Sequence, residues 1–312
     1  MSGTYALLPC VPSKPNRYDT ELALTVLYLS LSLETIQKWC HRVKLVVEVL
    51  GLQSVIGVTT LIDDPIQASR GGWVFRSRSD SKFDVSDLRE LYDLLHPQGT
   101  FQGRCTAPLL VDLKLRRIVS NESSDMVRMI PQLTQLLQPQ TSSTHEASST
   151  MTVLDLYPTE LESVIEGTNI WVYRLLNNGV YRCGFSTSQE AYNTASADVQ
   201  EGLSKCQELL SQQPFLCGET FTETDVLLFP TMIRFDGVYA PLFKAGGSHI
   251  RLECDYPAIY AWMKRCWQTI PGVSTSIDIA DATSSYYKQL FPLNPGGILP
   301  TVVTARHLRL DD

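Results

Sequence analysis

The chain of 312 residues has no Cys-x-x-Cys pair, no basic block and no apolar run near the ~20 residues that a membrane-spanning helix needs. Each absence excludes a class of function. Eight cysteines (Cys10, Cys40, Cys105, Cys183, Cys206, Cys217, Cys254 and Cys266) and five histidines lie scattered, so no zinc spacing forms and no metal is expected. In a chain of this size, scattered cysteines suit a reducing compartment better than a disulfide framework. A net charge of −7 without a compensating basic segment argues against nucleic acid and anionic membranes as partners. The first residues lack the charged-then-apolar order of a secretory signal. A flexible N-terminus over 1–22 is the expectation, with the cytoplasm as default compartment and an organelle left open. No internal repeat is present.

What the chain does contain is two kinds of pattern. LTVLYLSLSL (24–33) alternates apolar with smaller groups and reads as a strand. HRVKLVVEVLGL follows with helical spacing, Val43, Val46, Val47 and Leu50 on one face and Gly51 as a stop. VIGVTTLI is a second β-branched run, so β-α-β suggests a parallel pair. DVSDLRELYDLLH reads as an amphipathic helix capped by Asp84 or Ser86. APLLVDL and RRIVS read as strands joined by a turn, and NESSDMVRMI as a capped helix. The order is β-α-β-α-β-β-α, with an insertion around GGWVFRSRSDSKFD. Ser/Thr-rich QPQTSSTHEASSTM (138–151) then reads as linker. Beyond Tyr157 the spacing is helical throughout, up to LNPGGILPTVVTARHLRLDD, a tail expected on the surface or against a partner.

An α/β half followed by a helical half is similar to the cytosolic glutathione transferases, and particular motifs narrow the resemblance. GRCTAPLL (103–110) looks like the strand with a cis-proline beside the glutathione site. NESSDMVRM (121–129) looks like the turn that holds the γ-glutamyl end. NNGVYRCGF, RFDGVY, the DYP at 255–257 and LNPGGILP resemble the glutathionyl-hydroquinone reductases, the Xi-class, omega-like transferases. The implied fold is α/β + all-α: a thioredoxin-like N-terminal domain at 23–130, a linker at 131–154, an all-helical C-terminal domain at 155–290 and a tail at 291–312.

The resemblance implies glutathione as ligand or co-substrate and assigns its pocket. Glu122 and Ser123, at a helix start, would meet the ammonium and carboxylate of the γ-glutamyl group. Ala107, before Pro108, would offer its backbone to the cysteinyl part, across a cis bond of the kind found before proline. Trp39 would stack on the tripeptide and Arg104 would supply charge. Singly, each of these residues has an ordinary structural reading; as a set in this order they point to a pocket. Tyr181, Tyr239 and one of Tyr286 or Tyr287 match the family tyrosines whose hydroxyls approach a quinol, a group suited to donating or accepting.

At the nucleophile the sequence departs. The family reads Cys-Pro-Trp-Ala-His-Arg, whereas this chain reads QKWCHR, with Trp39, His41 and Arg42 in register. Gln37 stands where the reactive cysteine belongs, and Lys38, expected to be a solvated side chain, stands at its proline. A thiol at a helix N-terminus has a lowered pKa. As thiolate it attacks the sulfur of a glutathionyl-quinol, and a second glutathione resolves the mixed disulfide. A glutamine amide has no such form. Cys40 lies three residues on, about 4.5 Å along a helix, where burial as an apolar residue outweighs a substitute catalytic role. KAGGSHIRLEC (244–254) and SIDIADATSS (276–285) also depart from the family's basic segments.

Two readings follow. One is a glutathione-binding protein with thiol transfer reduced or lost, taking a quinone-like or electrophilic small molecule. The other is a pseudoenzyme, a structural subunit of an assembly. A homodimer is the family expectation for either.

Overall fold

The computed structural model describes residues 27–32, 38–63, 72–137, 154–290 and 292–312. The expected flexible N-terminus, Gln37 and the linker stretch 138–153 lie outside the described residues.

The first domain is a five-stranded sheet. Strands β1 (Leu27–Ser32) and β2 (Ile56–Asp63) pair in parallel, from Leu27 opposite Ile56 to Ser32 opposite Leu61. Helix α1 (Lys38–Val49) is the crossover between them, and it stops where Gly51 takes φ +66°. Strands β4 (Leu109–Asp112) and β5 (Arg117–Ser120) add antiparallel on the β1 side. The GGWVF insertion supplies β3 (Trp73–Phe75), antiparallel to β2, so the strand order is β3-β2-β1-β4-β5.

Helix α2 (Leu88–Leu95) buries Leu88, Leu91, Tyr92 and Leu95. Its N-cap is Asp87, whose side chain accepts from the Glu90 N–H at 2.7 Å, rather than the expected Asp84 or Ser86. Asp84 is instead held in a left-handed turn at φ 57°, and Ser86 donates its N–H and hydroxyl to the Glu90 carboxylate. The three bonds between 86–87 and Glu90 run in both directions, as in a capping box. Helix α3 (Ser123–Leu137) continues through Pro131, so 131–137, expected as linker, are helical.

The second domain is helical: α4 (Glu162–Trp171), α5 (Gly179–Gly184), α6 (Gln189–Gln212), α7 (Glu223–Met232), α8 (Leu252–Asp255), α9 (Pro257–Thr269) and α10 (Ile279–Gln289). Two π-helical turns, Val172–Asn177 and Phe235–Tyr239, interrupt the regular spacing. Thr222 and Asp225 form a capping box at α7, and the Asp225 carboxylate also accepts from Trp262 Nε1 at 2.8 Å. That carboxyl is fully buried, and burial pushes it up to about 6 against the pull of its donors.

Helix α1 is enclosed. Its apolar residues Val43, Leu45, Val46 and Val47 are buried, and so are Lys38, His41 and Arg42. The periodicity marks an apolar stripe, but burial extends past it to Lys38, His41 and Arg42 because α7, α3 and the turn Ser274–Ser276 pack on the helix, while Lys44 and Glu48 stay half-buried. At Gly272 (φ +87°) the second domain approaches α1 so closely that a Cβ would lie 2.6 Å from the Glu48 carbonyl. The tail folds back on α9 rather than reaching out: Tyr260, Gln268 and Trp267 donate to Leu308 O, Leu310 O and Asp311 Oδ1, each at 2.8 Å, and Leu310 is buried. Among the described residues no helix is long and apolar enough to cross a membrane.

Candidate functional site

A cavity of about 670 Å³ opens where α1, the segment before β4 and the start of α3 converge. Trp39, Arg104, Ala107, Pro108, Glu122 and Ser123, the six residues assigned from sequence, all line it. The Ala107–Pro108 bond is cis. The segment leading to it is pinned from behind, because Tyr92 Oη donates to Thr106 O at 2.9 Å and Asn121 Nδ2 to Thr106 Oγ1 at 3.1 Å. Glu122 Oε1 accepts from the Ser124 N–H (3.3 Å) and hydroxyl (3.0 Å), which fixes the carboxylate at the α3 start.

Trp73, Arg89, Asn121 and Tyr173 also line the cavity and were missed in the sequence. Trp73 comes from the insertion and Tyr173 from the other domain, across the first π-helical turn, so no local spacing marks them. Arg89 has a usable signal, being polar on an amphipathic helix beside the cis-proline segment. Its Nη1 donates to Gly103 O at 3.0 Å and to Cys105 Sγ at 3.1 Å.

Beyond Trp39 the site changes character. Tyr286 Oη lies 2.9 Å from both Tyr181 Oη and Tyr239 Oη, so three of the assigned tyrosines form one hydroxyl cluster. Tyr287 is not in it and donates instead to Gly237 O at 3.3 Å. Burial raises the Tyr181 and Tyr239 phenols well above their ordinary range, so both stay neutral. Phe243 packs edge-on to Tyr181, Tyr239 and Tyr286.

Lys38 reaches into this cluster, contrary to the solvated side chain expected from sequence. It is fully buried, its Nζ 4.1 Å from the Tyr181 ring centroid, 4.7 Å from Trp39 and 5.6 Å from Tyr239. The amino group donates to the carbonyl oxygen of Asn177, at the end of the first π-helical turn. The reason is positional. At the start of a helix covered by the second domain, the four-carbon stem has apolar rings beside it and no route to water. Burial first, then the charges of Arg42 and Arg234, lower its pKa well below the usual lysine range.

The helix holds two more buried basic groups. Arg42 Nε and Nη2 donate to Leu227 O at 3.2 and 3.0 Å, its Nη1 to Ser123 Oγ at 3.5 Å, and its guanidinium lies 4.3 Å over Trp39. The Asn177 amide satisfies its neighbours with its oxygen accepting from Arg42 Nη2 at 2.7 Å and its nitrogen donating to Thr231 Oγ1 at 2.6 Å. Burial pushes Arg42 down to about 10, with Glu122 opposing. His41 Nδ1 lies 2.9 Å from Arg234 Nη1, which can only donate, so Nε2 carries the proton and donates to Ser276 Oγ at 2.8 Å. Burial and the Arg234 charge keep this imidazole neutral, well below its ordinary pKa.

Cys40 is 1% exposed and lies in the core, outside the cavity lining. Of the described cysteines, Cys105 is the one that reaches the cavity. Among the described residues no group of three or more His, Cys, Asp or Glu could hold a metal ion.

Residues 189–265 match the model of the glutathione S-transferase C-terminal domain. The chain is 33% identical to the glutathionyl-hydroquinone reductase YqjG of Escherichia coli K12, over 88% of this chain and 77% of that protein. It is 32% identical to the glutathionyl-hydroquinone reductase PcpF of Sphingobium chlorophenolicum, over 84% and 78%. Among solved structures, glutathione transferase Xi 1 from Trametes versicolor aligns with a TM-score of 0.77 at 32% identity, covering 89% of this chain and 91% of the other. The glutathione-bound structure of YqjG aligns at 0.74 and 31%, covering 89% and 84%.

Proposed function

Because the chain belongs to the glutathionyl-hydroquinone reductases, the Xi-class glutathione transferases, we propose that it binds glutathione in the open cavity, with thiol transfer reduced or lost. The convergence of the six assigned residues on one cavity carries this reading. The start of α3 favours the γ-glutamyl carboxylate at Ser123, with the Glu122 carboxylate near the ammonium. The backbone of Ala107 pairs with the cysteinyl unit, and Trp39 and Arg104 flank the tripeptide. A glutamine at position 37 carries no thiolate to attack a second sulfur. Cys40, enclosed in the core, does not replace it. The glutathione thiol therefore stays free, in a site able to present it to an electrophile.

Binding to immobilised glutathione, followed by turnover of a glutathionyl-quinol and of a model electrophile, tests this. Retention on glutathione with no reductase turnover is the expected result. No binding at millimolar glutathione would sink the reading.

A second reading, a non-catalytic subunit of an assembly, draws support from the filled aromatic end, where Lys38 lies among the tyrosines. Size exclusion of the purified chain separates a homodimer from a protein that waits for another partner.

A further inference from the structure

The aromatic chamber has two means of holding a ring-shaped ligand: the faces of Trp39, Tyr181 and Tyr239, and the tyrosine hydroxyls. Both are engaged from within. The Lys38 amino group lies within 6 Å of the three ring centroids, the distance at which an amine-bearing ligand sits in an aromatic cage. The hydroxyls of Tyr181 and Tyr239 turn to Tyr286. No carboxylate among the described residues pairs with Lys38, so a carbonyl and the ring faces are what hold it.

We propose that Lys38 is a specificity-determining residue whose side chain acts as an internal ligand of the aromatic chamber and excludes a phenol or quinol ring from it. This rests on reading the tyrosine cluster as the chamber for a second ligand. Occupancy, not charge, is the operative property, since a neutral amine also donates to Asn177 O and fills the same space. A ring stacked on Tyr181 needs the face that Lys38 covers at 4.1 Å. Trp39, which touches both Lys38 and the open cavity, separates a chamber that the chain fills from one left open to a tripeptide. The cleft is thereby specialised: a thiol ligand enters and its aromatic co-substrate does not.

Hydroquinone binding, measured calorimetrically without glutathione, tests this on wild type, Lys38→Ala and Lys38→Met, with a thermal melt of each. Lys38→Ala vacates the chamber, and it should bind hydroquinone about ten-fold or more tightly than wild type, the order expected for burying one ring. Lys38→Met refills the volume without an amine and should bind no better than wild type. Propylammonium should compete with hydroquinone in Lys38→Ala. Wild-type binding as tight as that of Lys38→Ala overturns the proposal, as does equal gain in both variants, or no gain in a Lys38→Ala protein that melts cooperatively. If Lys38→Ala does not fold, wild type and Lys38→Met decide: saturable binding by either at millimolar hydroquinone overturns it, and its absence from both supports it. A parallel glutathione titration keeps the readings apart. Loss of glutathione binding with the hydroquinone pattern intact removes the proposed function and leaves the Lys38 assignment standing.

Discussion

The thiol end and the aromatic end of the site share one wall, the Trp39 ring, yet they are built in opposite ways. The thiol end is an open cavity of about 670 Å³ that mixes polar groups with the rings of Trp39, Trp73 and Tyr173. The aromatic end is closed by a lysine of the same chain, with Asn177 O, Tyr181 and Tyr239 around it. Residues 38 and 39 are neighbours at one helix start, and one faces the filled chamber while the other lines both. On the proposed reading, the site keeps the residues for one ligand while one adjacent side chain removes the room for another.

Arg42 stands behind both ends, so its removal is the largest test of how they are joined. Arg42→Ala takes a donor from the Leu227 carbonyl, Ser123 and Asn177 and leaves a cavity beneath the Trp39 ring, and it should cost about 3–5 kcal/mol in denaturant unfolding. A loss below about 1 kcal/mol would mean the two ends do not depend on this group.

Lys38→Met probes the filled end alone. Lys38 has its pKa lowered on folding, so between that value and the ordinary 10.5 the unfolded chain binds more protons. The penalty of burying the amine is full below the folded pKa and fades as pH rises toward 10.5. Lys38→Met should therefore be more stable than wild type at neutral pH, by about 1–4 kcal/mol. The gain should shrink in melts run up to pH 10.5. A gain that does not change with pH would show that packing, not proton linkage, sets it.

Ser123→Ala probes the open end. It should weaken glutathione binding about ten-fold, the value of one hydrogen bond to a charged group, and, when made in the Lys38→Ala protein, leave hydroquinone binding as it is. Equal loss at both ends would erase the distinction between them. Cys40→Ala should touch stability alone, by about 1–2 kcal/mol from a small buried side chain. Glutathione affinity should not change with it. Loss of turnover on this substitution would return Cys40 to the chemistry.

Much of the site was legible in the sequence because its parts are local. Pro108 after Ala107, and Glu122–Ser123 ahead of an apolar helix, are adjacent residues whose geometry is set by the next peptide or the next turn. The Asp87 cap was misplaced for the same reason: several polar residues in a row can cap, and the reciprocal bond from Glu90 decides among them. Trp73 and Tyr173 were not legible, since an edge strand and a π-helical turn in another domain bring them to the cavity. Tyr286 and Tyr287 were equivalent in the sequence. The packing of α10 chose Tyr286, which meets Tyr181 and Tyr239 while Tyr287 reaches Gly237.

By itself the sequence determined the succession of strands and helices, the cis-proline segment and the pocket on the first domain, because period, caps and turns act over a few residues. Where Lys38 would go was decided only by the tertiary structure. Helical spacing says which residues share a side of α1, but not that α7 and the π-helical turns would cover that side. Once they did, the lysine's shortest path ran into a cage of rings instead of water.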